Sequence, residues 1–261
     1  GMGGRLDSTN IITPEVSVIT NIGYDHMPFL GDTLEAIAFE KGGIIKPNIP
    51  VVIGETQKET GHVFKDLAEK NNAEIIFADT RKERLYKSDL LGNYQQKNIQ
   101  TAIQTIRILQ KKKHNVKETH IETGLLDVVN NTGLLGRWQV INNQPQVICD
   151  TAHNKEGLTY VVEQIQEAHF NHLHMVFGVV NDKDLTTITD VLPKKATYYF
   201  CKPNISRGLD VKKLKAIFSI HGLEGEAYHS VNDAYKNALK KAQANDFIFI
   251  GGSTFVVAEI I

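Results

Sequence analysis

The feature that most constrains this chain is the regular return of short apolar runs between amphipathic segments. In the second half the runs read QVICD (146–150), HMVFGVV (174–180), TYYFC (197–201), EAYH (226–229) and DFIFIGG (246–252), with helix-patterned stretches between them at roughly 155–168, 184–191, 210–220 and 231–243. Runs that are apolar at nearly every position fit strands covered on both faces. Their alternation with helices implies a mostly parallel, doubly wound α/β sheet. The first half alternates in the same way. EVSVIT (15–20) and PVVIG (50–54) flank a helix at 32–43, and KETGHVFKDLAEKNN (58–72) precedes the run AEIIFA (73–78). A long helix is expected over 95–111, with Ile99, Ala102, Ile103, Ile106 and Leu109 on one face and Asn93 as its N-cap.

A polar, glycine-bearing stretch, NNTGLLGR (130–137), divides the chain into domains at 1–132 and 133–261. A length of 261 residues is enough for two cores. With a net charge of -1 there is no basic stripe, and the KKK at 111–113 is too short to make one, so no nucleic-acid partner is expected. No apolar run approaches the roughly 20 residues of a membrane span, and no signal peptide is visible. Cys149 and Cys201 each end an apolar run and are expected as buried free thiols, in keeping with a cytoplasmic setting.

Ligand sites in open α/β sheets lie at the carboxyl ends of the strands. Polar residues gather there in this chain: Asn21 to His26 after EVSVIT, Asp150-Thr151-Ala152-His153-Asn154 after QVICD, Asn181 to Asp184, Lys202 to Asn204 with Ser206-Arg207, and Gly251-Gly252-Ser253-Thr254. In DTAHNKEG an acceptor and two donors surround one crevice, or else Asn154 caps a helix beside a turn histidine. The GGST stretch could cradle an anion on backbone N–H groups, or serve tight strand-to-helix packing. Neither GMGG nor GGST fits the P-loop pattern. No Cys/His set has zinc spacing, and no nucleophile elbow occurs.

The segments GGRLDSTN (3–10), SVITNIGYDHMPFLGDTLEAIAFEKGGIIKP (17–47), LLGNYQQKNIQTAI (90–103), GLLGRWQVI (133–141), DTAHNKEG (150–157), VFGVVNDKD (176–184) and GGSTFVVAE (251–259) stand in one order. Together they resemble the bifunctional folylpolyglutamate synthase/dihydrofolate synthase family of the Mur-ligase superfamily. The resemblance implies part of a Mur-ligase-type ATPase domain followed by a Rossmann-like glutamate-ligase domain. It implies an enzyme that joins L-glutamate to a folate or dihydropteroate carboxylate with ATP and Mg2+, by way of an acyl phosphate.

The resemblance also implies roles. His26 would be a magnesium ligand. Lys41 would carry a carbamate, turning an amine of pKa ~10.4 that repels a metal into a carboxylate that can hold one. His26 and Lys41 would then bracket the 32–43 helix and face one metal–phosphate centre. Asn98 matches the asparagine of the H-Q-x-x-N stretch that contacts the nucleotide, although Tyr94 stands where that stretch has histidine. Arg137 matches an arginine that reaches the ATP phosphates, a task suited to a guanidinium fork. Asp150 and His153 match the site facing nucleotide and acyl phosphate. Arg5, Asp7 and Ser8 fall in the loop bordering the pterin pocket, with serine where the family usually has alanine.

Each role has a structural rival. Asp25 could cap the helix, Lys41 could sit at a helix C-terminus favoured by the dipole, Arg137 could form an ion pair, and Asp7 could be a turn residue. Two departures from the family stand out. Its P-loop would lie upstream of Met2, so the chain is expected to be an inactive piece of a longer protein, prone to self-associate along an exposed sheet edge. Its strand-rich excursion is nearly absent between Thr80 and LLGNYQQKN. A Mur-type peptidoglycan ligase and a non-catalytic nucleotide- or amino-acid-binding module are the alternative functions.

Overall fold

Two separate sheets organise the protein, whose computed structural model describes residues 3–24, 27–181 and 185–261. The chain forms two compact units, Gly1–Ser88 with Tyr94–Asp127 and Asp89–Asn93 with Val128–Ile261.

The first unit contains β1 (Ser17–Ile19), α1 (Met27–Leu30), α2 (Leu34–Gly42), β2 (Val51–Ile53), α3 (Gly61–Lys70), β3 (Ile75–Phe77), α4 (Gln95–Lys111) and α5 (Glu118–Leu126). Its three strands are parallel in the order β1-β2-β3. The central strand is apolar throughout because both of its faces are covered. Val51 and Ile53 pack with Ile37 and Ala38 of α2 and Phe64 and Ala68 of α3. Val52, on the opposite face, packs with Ile76 and with Ile108 of α4.

Helix α4 differs in detail from the sequence expectation. Its buried residues include Ile99, Thr101, Ile103, Gln104 and Ile108, whereas Ala102 is exposed. The hydroxyl of Thr101 donates to Lys97 O at 2.9 Å, and the Gln104 amide donates to Glu83 Oε1 at 3.1 Å, so both polar groups are buried with partners. Asn93 does not cap α4. The N-cap position is Tyr94, without a side-chain cap bond, and Asn93 Nδ2 instead donates to Glu167 at 2.8 Å.

Residues 81–93 cross between elements without forming a strand. Arg107 pins this segment through Glu83 at 3.2 Å and also reaches Glu118 at 2.9 Å. The paired guanidinium groups and the Tyr86 hydroxyl hold the Glu118 carboxyl down to about 2.

The second unit contains α6 (Val128–Thr132), β4 (Gln139–Asn143), β5 (Gln146–Cys149), α7 (Lys155–Glu167), β6 (Leu173–Phe177), α8 (Leu185–Thr189), β7 (Thr197–Phe200), α9 (Val211–Ile220), β8 (Gly225–Ala227), α10 (Val231–Lys241), β9 (Phe247–Gly251) and α11 (Thr254–Val257). The sheet order is β4-β5-β9-β6-β7-β8, parallel except for the edge strand β4. Strand β4, paired antiparallel with β5, is not apparent from the apolar runs, because its burial is intermediate or exposed throughout.

The period-2 alternation of side chains splits the apolar runs between two cores. Ile148, Met175, Phe177, Tyr198, Phe200, Phe247 and Phe249 face α7 and α9 through Leu158, Val161, Leu214 and Phe218. Val147, Cys149, Val176, Tyr199, Cys201, Ile248 and Ile250 face Val231, Ala234 and Ala238 of α10 and Val256 and Val257 of α11. Cys149 and Cys201 are buried free thiols. Burial pushes the Cys149 thiol up to about 12. Among the described residues no helix is long and apolar enough to cross a membrane.

Candidate functional site

In the first unit, the carboxyl end of β1 opens onto a cavity of about 300 Å³ lined by Asp7, Thr9, Thr20, Asn21 and Lys41, with Ile44 among its apolar walls. Lys41 reaches it from the last turn of α2, a helix whose Thr33 N-cap accepts from Ala36 N at 3.1 Å. Among the described residues nothing pairs with the Lys41 amine.

The neighbouring loop is firmly placed. Gly4 N and Arg5 N both donate to Glu40 O, at 2.9 and 2.8 Å. This approach requires glycine at position 43, since a Cβ there would stand 2.5 Å from Arg5 Cα. Lys46 Nζ donates to Asn10 O at 2.6 Å and Ser17 Oγ to Ile44 O at 2.7 Å. The Gln57 amide holds the 20–24 loop by exchanging two 2.8 Å bonds with the Ile22 backbone.

The three residues expected at a pterin pocket divide in this structure. Asp7 lines the cavity, caps a short 3-10 turn at Ser8–Ile11 and accepts from Thr9 N at 2.8 Å and Thr9 Oγ1 at 2.5 Å. Those two bonds hold its carboxyl below the usual range. Arg5 is exposed and ion-paired with Glu40 at 3.0 Å; Ser8 is exposed in the 3-10 turn. Asp25 and His26 lie outside the described residues, as do Asp182 to Asp184. Asn98, exposed on the first turn of α4, donates to Gln95 Oε1 at 2.9 Å, which leaves its own carbonyl oxygen as an acceptor.

The second unit brings Arg137, Asp150, Thr151 and His153 together at the carboxyl end of β5. Asp150 is buried, and its two oxygens accept from Trp138 N at 2.7 Å and Ala152 N at 2.8 Å. Arg137 donates through Nη1 to Thr151 Oγ1 and to Gly136 O, the latter at 3.3 Å. His153 Nδ1 lies 3.0 Å from Thr151 O. A carbonyl can only accept, so Nδ1 carries the proton and Nε2 presents a lone pair in the neutral ring. Asn154 caps α7 by accepting from Gly157 N at 2.9 Å. Thr151, named in the sequence only as part of the strand-end cluster, is the partner of both Arg137 and His153.

At GGST the packing alternative describes what is seen. Gly252 has φ +89°, and a Cβ there would stand 2.7 Å from the Phe177 ring and 2.8 Å from Gly178 O. Ser253 Oγ caps α11, accepting from Phe255 N at 3.2 Å. Among the described residues no three His, Cys, Asp or Glu side chains cluster to hold a metal ion.

Comparison with known proteins places these features in a family. Residues 1–143 match the Mur ligase middle domain, and residues 136–254 match the Mur ligase glutamate ligase domain. The dihydrofolate synthase/folylpolyglutamate synthase of Buchnera aphidicola subsp. Acyrthosiphon pisum is 33% identical over 272 residues, covering 100% of this chain and 65% of that protein. A structure of Escherichia coli FolC in complex with DHPP and ADP superposes with a TM-score of 0.82 at 27% identity, covering 100% of this chain and 64% of that one. A bifunctional folylpolyglutamate synthase/dihydrofolate synthase with Mn, AMPPNP and L-glutamate bound gives 0.81 at 25% identity, again with 100% and 64% coverage. The chain therefore spans less than two thirds of the length of these relatives. The chain belongs to the Mur ligase family, its first half matching the middle domain and its second half the glutamate ligase domain.

Proposed function

We propose that the protein serves an ATP-dependent ligase that joins L-glutamate to the carboxylate of dihydropteroate or a folate through an acyl phosphate. The observation that carries this reading is the Lys41 amine, without a partner among the described residues, in the strand-end cavity beside Asp7, Thr20 and Asn21, within a chain of this family. Relatives named as dihydrofolate and folylpolyglutamate synthases support it, as do the ADP, AMPPNP, Mn and L-glutamate recorded with neighbouring structures.

In this reading each residue has a distinct task. The Lys41 side chain meets the negative charge that builds as phosphoryl passes to the substrate carboxylate; as a carbamate it would instead present a carboxylate to the divalent ion that arrives with the nucleotide. Arg137 keeps guanidinium N–H groups beyond those spent on Thr151 and Gly136, and these suit phosphate oxygens. Asn98 offers its carbonyl oxygen to an adenine amino group.

The glutamate nitrogen arrives as an ammonium and must lose a proton before it can attack. His153 Nε2 has the lone pair to take that proton. The amine then bonds to the acyl carbon, the bond from that carbon to the phosphate oxygen breaks, phosphate leaves with the electron pair, and the second proton of the new amide nitrogen passes to the departing phosphate or to water. Asp150 positions the neighbouring residues, its two oxygens accepting from the backbone N–H groups of Trp138 and Ala152. With His26 outside the described residues and no ligand cluster among the others, no step is assigned to a protein-bound metal. The divalent ion is taken as part of the nucleotide complex.

Titration calorimetry of the protein with dihydropteroate in the presence of MgADP tests the reading. A saturable isotherm, absent with a UDP-sugar acceptor, is expected. Binding of the UDP-sugar instead would assign the chain to the peptidoglycan branch.

A further inference from the structure

At the amino-terminal ends of β5, β6 and β9 lies a second cavity, of about 590 Å³, which the ligase reading does not use. The five residues of β9 separate it from Gly251 and the strand tips near Asp150 by about 16 Å at 3.3 Å per residue. We propose that this cavity binds a neutral polyhydroxylated ligand of saccharide type, anchored on the carboxylate of Asp246.

Asp246 lines the cavity and is only 7% exposed. One oxygen, Oδ2, accepts from Gln243 N at 2.8 Å and lies 3.3 Å from His174 Nε2. The other oxygen has no partner among the described residues, and it is not sealed from solvent. A carboxylate oxygen that solvent reaches on an otherwise buried side chain is open to a donor from outside, water or a ligand hydroxyl. The other ring nitrogen of His174, Nδ1, lies 3.0 Å from the Tyr199 hydroxyl, so the imidazole has a partner at both nitrogens.

The rest of the lining narrows the class of ligand. Around Asp246 the side-chain amides of Asn143, Gln146, Gln166, Asn171 and Asn245 are without hydrogen-bond partners among the described residues; all but Gln146 belong to exposed residues, so these amides meet water or a ligand alike. Among the described residues no lysine or arginine lines the cavity, which disfavours an anion; the exposed Glu167 and His169 also line it, and Glu167 Oε2 already accepts from Asn93 Nδ2 at 2.8 Å. No three metal-ligating side chains cluster among the described residues, which disfavours a bare cation. Amides both donate and accept, and a carboxylate only accepts. Hydroxyl groups are the partners that satisfy both. Phe170, packed on Phe247 with ring centroids 5.5 Å apart, adds an apolar wall against which the C–H face of a sugar ring can lie.

The test is amide-resolved NMR of the 261-residue chain titrated with glucose and with trehalose to about 50 mM, a range suited to weak sites. Saturable shifts confined to the backbone near Asn171, Asn245 and Asp246 are expected. Asp246→Asn should weaken binding by about tenfold or more, the usual consequence of removing a charged acceptor. Should that variant fold poorly, Gln166→Ala, an exposed change outside every core, should weaken binding by about threefold to tenfold. Absence of saturable shifts with both sugars, or equal affinity in wild type and variants, overturns the proposal. A response to spermidine or MgCl2 in place of the sugars overturns the class of ligand.

Discussion

Asp150 receives the backbone N–H of Trp138 at 2.7 Å, and Trp138 is held there with φ +47°, a left-handed conformation that a bulky residue rarely adopts. The carboxylate thereby fixes the turn that carries Arg137, while its other oxygen fixes Ala152 and the turn that carries His153. One buried group sets the approach of two candidate site residues.

Asp150→Asn follows directly. An amide can accept through only one of its two heads, so one buried N–H loses its partner, at a cost of about 1–3 kcal/mol. Trp138 is the chain's single tryptophan. Its fluorescence during urea denaturation should report an earlier transition in the variant, and an unchanged midpoint would count against the bracing role.

The buried imidazole of His174 predicts a pH dependence. Burial is the largest influence on it and lowers its pKa from the usual 6.5, against the opposing pull of Asp246, with His172 and Lys241 adding to the lowering. Below 6.5 the unfolded chain therefore binds a proton that the folded chain resists, and stability falls with pH until the lowered folded value is passed. Urea midpoints measured from pH 7.5 to 5.0 should show this fall, and His174→Gln should flatten it. A wild-type protein with no slope in that window contradicts the assignment.

Gly252→Ala tests the packing account of the GGST stretch. The added methyl meets the Phe177 ring and Gly178 O at a φ that side chains disfavour, so a loss of roughly 1–3 kcal/mol is expected. Thermal unfolding of the variant within a degree or two of wild type would show that the turn has room.

The parallel sheets were legible because strands covered on both faces must be apolar at nearly every position, as DFIFIGG and TYYFC are. Strand β4 was not legible, since an antiparallel edge with polar residues carries no such mark. On α4, periodicity chose Ala102 over Thr101 and Gln104, because hydropathy does not register that Lys97 O and Glu83 wait to pair with those two polar groups. Asp150 and His153 were recognisable as a strand-end cluster. The tautomer of His153 and the bracing by Asp150 depend on backbone atoms of Thr151, Trp138 and Ala152, which a string of side-chain types does not encode. Arg5 pairs with Glu40 from 35 positions away, a distance at which sequence offers no pairing rule.

The ligase reading rests most heavily on Lys41, and its removal gives the most direct measurement. Because its amine has no partner among the described residues, Lys41→Ala should leave stability within about 0.5 kcal/mol of wild type. In a protein that joins this chain to the family's P-loop segment, glutamylation of dihydropteroate, followed by mass spectrometry with ATP, Mg2+ and L-glutamate, should fall by about a hundredfold or more on Lys41→Ala, the scale of losing one charge-stabilising group. Glutamylation at the wild-type rate in a folded Lys41→Ala protein would contradict the account.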